Sequence, residues 1–154
     1  MNAVLVALAV ALGLTGPVAA GPYEDAEAAY DKGDFATALR LWRPLAEQGD
    51  ALAQSNLGIM YAKGEGVPQD YAAAVKWYRL AADQGHASAQ SNLGAMYDNG
   101  QGVPQDYVQA HKWWNLAAVA GDKDAIKSRD LVAGKMTPAQ IAEAQKLARE
   151  WKPK

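Results

Sequence analysis

Residues Ala51–Gly85 recur as Ala87–Gly121, with 23 of 35 positions identical at a spacing of 36 residues. The first copy reads ALAQSNLGIMYAKGEGVPQDYAAAVKWYRLAADQG and the second ASAQSNLGAMYDNGQGVPQDYVQAHKWWNLAAVAG. A unit this short cannot bury its own apolar face, so successive copies must stack and share one core. Within the first copy Ala53, Leu57, Met60 and Tyr61 recur at helical spacing, as do Ala74, Trp77, Tyr78, Ala81 and Ala82. Each unit therefore reads as helix A, a loop and helix B. That organisation points to a binding surface rather than a catalytic pocket.

The punctuation between the helices is physical. Gly64 follows helix A, where a left-handed residue is easiest for glycine. Val67-Pro68 forces an extended approach, and Asp70 or a neighbour opens helix B with a carboxylate for its free N–H groups. Gly85 ends that helix, and Gly100, Gly102, Val103, Pro104, Asp106 and Gly121 repeat the arrangement. Gly58 and Gly94 lie in mid-helix, where glycine costs about 1 kcal/mol relative to alanine. Close helix approach, with Ala74 and Ala81 facing the glycine, is the expected offset.

The repeat continues in weaker form at both ends. Asp34, Phe35, Ala36, Ala38, Trp42, Ala46 and Gly49 fall in register with Asp70–Gly85, after a shorter loop at Tyr30-Asp31-Lys32-Gly33. Downstream, Asp122–Ala133 reads as a lone A-type helix stopped by Gly134. Thr137-Pro138-Ala139-Gln140 is a capping box. It opens a helix with Ile141, Ala144, Leu147, Ala148 and Trp151 on one side, the expected terminal cap of the stack. The domain plan is 21–49 for a degenerate half repeat, 50–85 and 86–121 for full repeats, and 122–154 for capping helices. About eight helices and no strand pattern result.

Residues 1–20 stand apart. Ala3–Leu14 is apolar, Gly16-Pro17 breaks it, and Val18-Ala19-Ala20 suits a signal peptidase, so cleavage is expected after Ala20. The run is about 12 residues, below the roughly 20 that span a bilayer. A periplasmic or secreted location is the expectation, and membrane attachment follows only if the segment is retained. The net charge of -2 gives a nucleic-acid partner no electrostatic support. Absence of cysteine removes disulfides, thiolate chemistry and cysteine-based zinc sites.

The pattern A-x-A-Q-x-N-L-G-x-M-Y-x-x-G-x-G-V-P-Q-D-Y-x-x-A-x-x-W-x-x-x-A-A-x-x-G resembles the Sel1-like repeat, a relative of the tetratricopeptide repeat. The resemblance is strong over Ala51–Gly121 and weaker over Tyr30–Gly49, and the tail Met136–Trp151 is similar to endings of small bacterial members. It implies an all-α, right-handed α-solenoid of stacked antiparallel helix pairs. It also implies a non-catalytic adaptor of the bacterial envelope, without cofactor or metal, that binds a partner protein or peptide. Some cysteine-rich exported members are described as binding or cleaving β-lactams, so a β-lactamase-like or cell-wall hydrolase is the alternative. This chain departs from them in having no cysteine and no Ser-x-x-Lys.

By the tetratricopeptide relationship, helix A lines the concave side. The candidate partner-binding groove is then Leu52, Ser55, Asn56, Ile59 and Lys63 in one repeat, with Ser88, Ser91, Asn92, Ala95 and Asn99 in the next. Their amides and hydroxyls suit the backbone of an extended peptide, and Lys63 suits a carboxylate. Other candidates read as structure. His86 and His111 have no metal-ligand spacing. The Gly64–Pro68 loop follows a helix and lacks the Gly-Lys-Ser/Thr ending of a phosphate loop. Asp122, Asp124 and Asp130 do not match a calcium loop. In Trp77-Tyr78 and Trp113-Trp114 one ring of each pair should face the core. Trp42 and Trp114 are the tryptophans to check for exposure, since an exposed one anchors partners well.

Overall fold

The computed structural model describes residues 21–154. Among them are eight helices and no strand: α1 (Pro22–Asp31), α2 (Phe35–Glu47), α3 (Ala51–Lys63), α4 (Tyr71–Asp83), α5 (Ala87–Asn99), α6 (Tyr107–Val119), α7 (Lys123–Ala133) and α8 (Pro138–Glu150). The A helices are α1, α3, α5 and α7, and the B helices are α2, α4 and α6. Each A helix packs on the B helix that follows it in α1–α2, α3–α4 and α5–α6, and each B helix packs on the next A helix. The A helices α3 and α5 also touch. This is a stack of helix pairs, as the repeat predicts. The proposed signal segment and its cleavage point lie outside the described residues.

The core is built from alanine and a few large side chains. Trp42, Leu57 and Met60 form one cluster; Tyr78, Leu93, Met96 and Trp113 a second; Trp114 and Val132 a third. Alanines fill the spaces between them, which lets backbones approach closely. A Cβ on Gly58 would collide with the Tyr78 ring, and one on Gly94 would stand 2.9 Å from Cδ1 of Trp114. The close approach expected of these glycines is present, but its partner differs from expectation. Ala74 and Ala81 are buried, yet a flat aromatic ring is what lies over the bare backbone.

The first pair lacks that glycine. Asp34 N–H donates to the Ala29 carbonyl as Asp70 N–H does to that of Tyr61, which aligns Ala26 with Gly58 and Gly94. Trp42 stands where Tyr78 and Trp114 stand in the later pairs, opposite a methyl group instead of bare backbone. The Trp114 indole donates to the Ser91 carbonyl at 3.0 Å, while the buried Trp42 Nε1 has no acceptor among the described residues.

Capping repeats as regularly as packing. Asp34, Asp50, Asp70, Asp106 and Asp122 each accept an N–H from the first turn of the following helix. Three helices differ: Gly21 gives α1 no side-chain cap, Thr137 caps α8, and at α5 the His86 Nδ1 accepts from Ala89 N–H at 3.3 Å. Two further devices join neighbouring repeats. The second glycine of each loop, Gly66 or Gly102, has positive φ and lies against the first residue of the preceding B helix, Phe35 or Tyr71. The buried amides of Gln54 and Gln90 donate to the Ala46 and Ala82 carbonyls at 3.0 and 3.2 Å, satisfying the C-terminal ends of α2 and α4.

The C-terminal region holds two further helices, α7 and α8. Thr137 and Gln140 do form the capping box of α8. That helix, however, packs on α6. Its tail crosses to α4, where Trp151 nears Gly85 and Lys154 pairs with Asp83 at 2.6 Å. In α7, Leu131 is left 74% exposed. No helix among the described residues is long and apolar enough to cross a membrane.

Candidate interaction surface on the A helices

Two cavities open between successive A helices, at matching heights in the stack. The first, of about 280 Å³, lies between α1 and α3 and is lined by Tyr23, Glu27, Tyr30, Asp31, Trp42, Leu52, Asn56 and Ile59. The second, of about 340 Å³, lies between α5 and α7, with Ala95, Asp98, Asn99 and Lys135 among its walls. A tryptophan from the intervening B helix lines each: Trp42 in one, Trp114 in the other. Both volumes fall at or below the small end of small-molecule sites and suit single side chains.

The expected groove residues divide between these cavities and the interior. Leu52, Asn56 and Ile59 line the first cavity, and Ala95 and Asn99 the second. Asn56 Nδ2 donates to the Tyr23 hydroxyl at 2.9 Å. Lys63 and Ser88 are exposed, and Ser91 and Asn92 are half-buried. Ser55 is 2% exposed and belongs to no surface groove. The reason is helical geometry: Ser55 precedes Gly58 by three residues, so it shares the side of α3 turned toward α4. Ser91 occupies the same place in α5, where its carbonyl accepts the Trp114 indole. The two tryptophans singled out for exposure are core residues, Trp42 at 2% and Trp114 at 6%. Trp113 is buried as well, so in the second aromatic pair both rings face inward.

Sequence reasoning missed Tyr23, Glu27, Tyr30 and Asp31. It placed Tyr30 and Asp31 in a loop, whereas they form the last turn of α1. The available signal was Ala26 and Ala29, both buried and three residues apart, which mark α1 as a packed A helix. Tyr30 donates to Glu65 at 2.6 Å and accepts from Lys63 at 3.4 Å. Burial and then the hydrogen bond to Glu65 push the Tyr30 phenol upward, and its contact with Lys63 raises that ammonium in turn. Burial raises Tyr23 most; the carboxylates of Glu27, Asp50 and Glu24 add to this, against the opposing Asn56 bond.

Among the described residues, no group of three or more His, Asp or Glu side chains is placed to hold a metal ion. His111 is buried with Nδ1 unpaired among the described residues, and desolvation, followed by the nearby Arg129, lowers its pKa. His86 is lowered by burial against the opposing pull of Asp50. Both sit in structural positions, one in the core and one at a helix N-terminus.

Fold and surface together define a stacked helical-repeat protein that offers an exposed row of A helices. The chain belongs to the Sel1 repeat family, matching it at residues 24–50, 51–86 and 87–122. The first match extends the family over α1 and α2, where the residues alone suggested only a degenerate half. No curated protein matches the chain. Among solved structures it is similar to c5321, a protective antigen of uropathogenic Escherichia coli strains displaying an SLR fold. That likeness has 30% identity and a TM-score of 0.81, and covers 84% of this chain and 29% of that one. It is also similar to a Sel1 repeat protein from Oxalobacter formigenes, with 27% identity, a TM-score of 0.70, and coverage of 84% and 56%. The chain thus spans under two thirds of the length of both neighbours. Sel1 repeat proteins serve in general as protein–protein interaction scaffolds.

Proposed function

We propose that this chain is a non-catalytic adaptor of the bacterial envelope that holds a partner polypeptide along its A helices. The observation that carries the reading is the pair of side-chain-sized cavities at matching positions, α1–α3 and α5–α7. An extended segment laid across the A helices can place one side chain in each cavity. Its backbone then meets polar groups such as Asn56, Ser88 and Asn92. Export is supported by the apolar run Ala3–Leu14 and the small residues before Gly21. The protective-antigen character of the E. coli neighbour accords with export of a Sel1 chain.

The test is affinity capture from an envelope extract by the full chain and by a Leu52→Arg/Asn99→Arg variant. Both positions are exposed and each borders one cavity, so the fold tolerates the change. One protein retained by the parent and lost from the variant is the expected result. Equal retention by both would remove the A helices as the contact surface. Intact mass of the exported form should begin at Gly21.

A further inference from the structure

The α1–α3 cavity differs from its α5–α7 counterpart in charge balance. In the α5–α7 cavity the chain supplies its own cation. Lys135 pairs with Asp98 at 3.1 Å and lies 5.2 Å from the centre of the Tyr107 ring. Lys63 occupies the corresponding place beside the first cavity. Its ammonium is held by the Tyr30 hydroxyl at 3.4 Å and Glu65 at 3.7 Å. Glu27 and Asp31 line the first cavity, and neither makes an ion pair or side-chain hydrogen bond among the described residues. Among the described residues no cationic side chain lines it.

Three aromatic rings line it as well, beside Leu52, Asn56 and Ile59. Tyr23 and Tyr30 stand 6.1 and 5.5 Å from the Trp42 ring, tilted at 43° and 46°. Three ring systems set at angles, with carboxylates at the rim, make the environment in which a cation gains both from π faces and from charge. The two carboxylates are also badly placed for the helix that carries them. Glu27 and Asp31 are four residues apart on one face of α1, where like charges repel. Asp31 is moreover the last residue of α1, at the negative end of its dipole, and the last turn has no basic residue. A guest cation would reverse both disadvantages.

We infer that the α1–α3 cavity receives an arginine or lysine side chain of the partner polypeptide, resting against the wall that Tyr23, Tyr30 and Trp42 form and paired with Glu27 and Asp31. The inference rests on the A-helix surface proposed above. Arginine fits best, because its planar guanidinium stacks on rings while donating to two carboxylates. The cavity volume of about 280 Å³ accommodates one such side chain.

The test is an NMR titration of the full chain with blocked pentapeptides carrying arginine, norleucine or glutamate at the centre. The arginine peptide should give saturable shifts at the Trp42 indole and at the Tyr23 and Tyr30 rings. Glu27→Gln/Asp31→Asn should weaken that binding at least tenfold and raise Tm, because it also removes the repulsion within α1. A structural role for the two carboxylates would lower Tm instead. The inference is overturned if the norleucine peptide binds as well as the arginine one, if the double variant binds unchanged, or if no shift appears at Trp42. Ethylguanidinium binding as tightly as the peptide would overturn the polypeptide occupant. A captured partner that needs Leu52 and Asn99, with no response to the arginine peptide, would retain the adaptor and remove this occupant. An arginine response with a partner indifferent to those variants would remove the adaptor surface alone.

Discussion

Gly58 and Gly94 look like defects in a helix until the neighbouring rings are considered. Each removes one Cβ and lets an aromatic side chain lie on backbone, so a loss in helix propensity is repaid in packing. The glycines were legible as close-approach points from their mid-helix position alone. Their partners were not, because helical spacing marks which residues share a face and leaves the rotation of that face undetermined. The same limit placed Ser55 on the surface, although it lies on the buried side of α3. His111 shows what a repeat can tolerate. It stands where Val75 stands in the other copy, is 3% exposed, and keeps Nδ1 without a partner among the described residues. Desolvation, then the Arg129 charge, depress its pKa below the ordinary 6.5 in the folded state. The unfolded chain therefore binds the proton more readily, and stability must fall as pH drops through 6.5 toward the folded value. His111→Val should remove an unpaired buried polar atom and raise stability by about 1 kcal/mol at pH 7. It should also flatten the decline between pH 7 and pH 5, measured as the urea midpoint against pH. An unchanged pH slope would show that His86 or a carboxylate carries the acid sensitivity.

At the scale of elements, the capped helices were plain in the sequence and their destinations were not. Thr137-Pro138-Ala139-Gln140 announced the start of α8, and its stripe of Ala144, Leu147, Ala148 and Trp151 announced a buried side. An amphipathic stripe demands cover but does not say what provides it. Here α6 does, and the tail continues to α4, with the Lys154 N–H donating to the Asp83 carbonyl at 2.8 Å. The chain end thus fastens the third pair to the second. Deleting residues 151–154 should cost about 1–3 kcal/mol, mostly through loss of the Trp151 contact with the second core cluster. Lys154→Ala alone should cost less than about 1 kcal/mol, since its side chain is 78% exposed and exposed ion pairs contribute little. Urea unfolding of both variants checks the ranking. If the lysine variant lost as much as the deletion, the tail would act through charge instead of packing.

The whole molecule is held together by neighbour contacts repeated along one axis. Each repeat touches the next through three kinds of link: apolar packing of a B helix on the following A helix, the loop glycine against the preceding B helix, and a buried glutamine on its last turn. The sequence displayed the first of these as periodicity. It carried the other two as pattern letters whose partners only the stacked arrangement supplies. In such an array stability is a sum of repeat and interface contributions, so length is itself a variable. Duplicating residues 87–122 in tandem adds one repeat together with one new interface of the kind that already joins α4 to α5. The added copy brings its own Gln90 equivalent to meet the end of the preceding B helix, and its own second loop glycine to meet that helix's first residue. If the interfaces dominate, the longer chain must unfold at higher urea with a steeper dependence, because more surface is exposed in a single cooperative step. If each repeat were self-sufficient, the midpoint would stay where it is and the transition would broaden. The same extension moves the α1–α3 cavity away from the α5–α7 cavity by one repeat. A partner that bridges both should then bind more weakly to the longer chain, although both cavities and the fold remain intact.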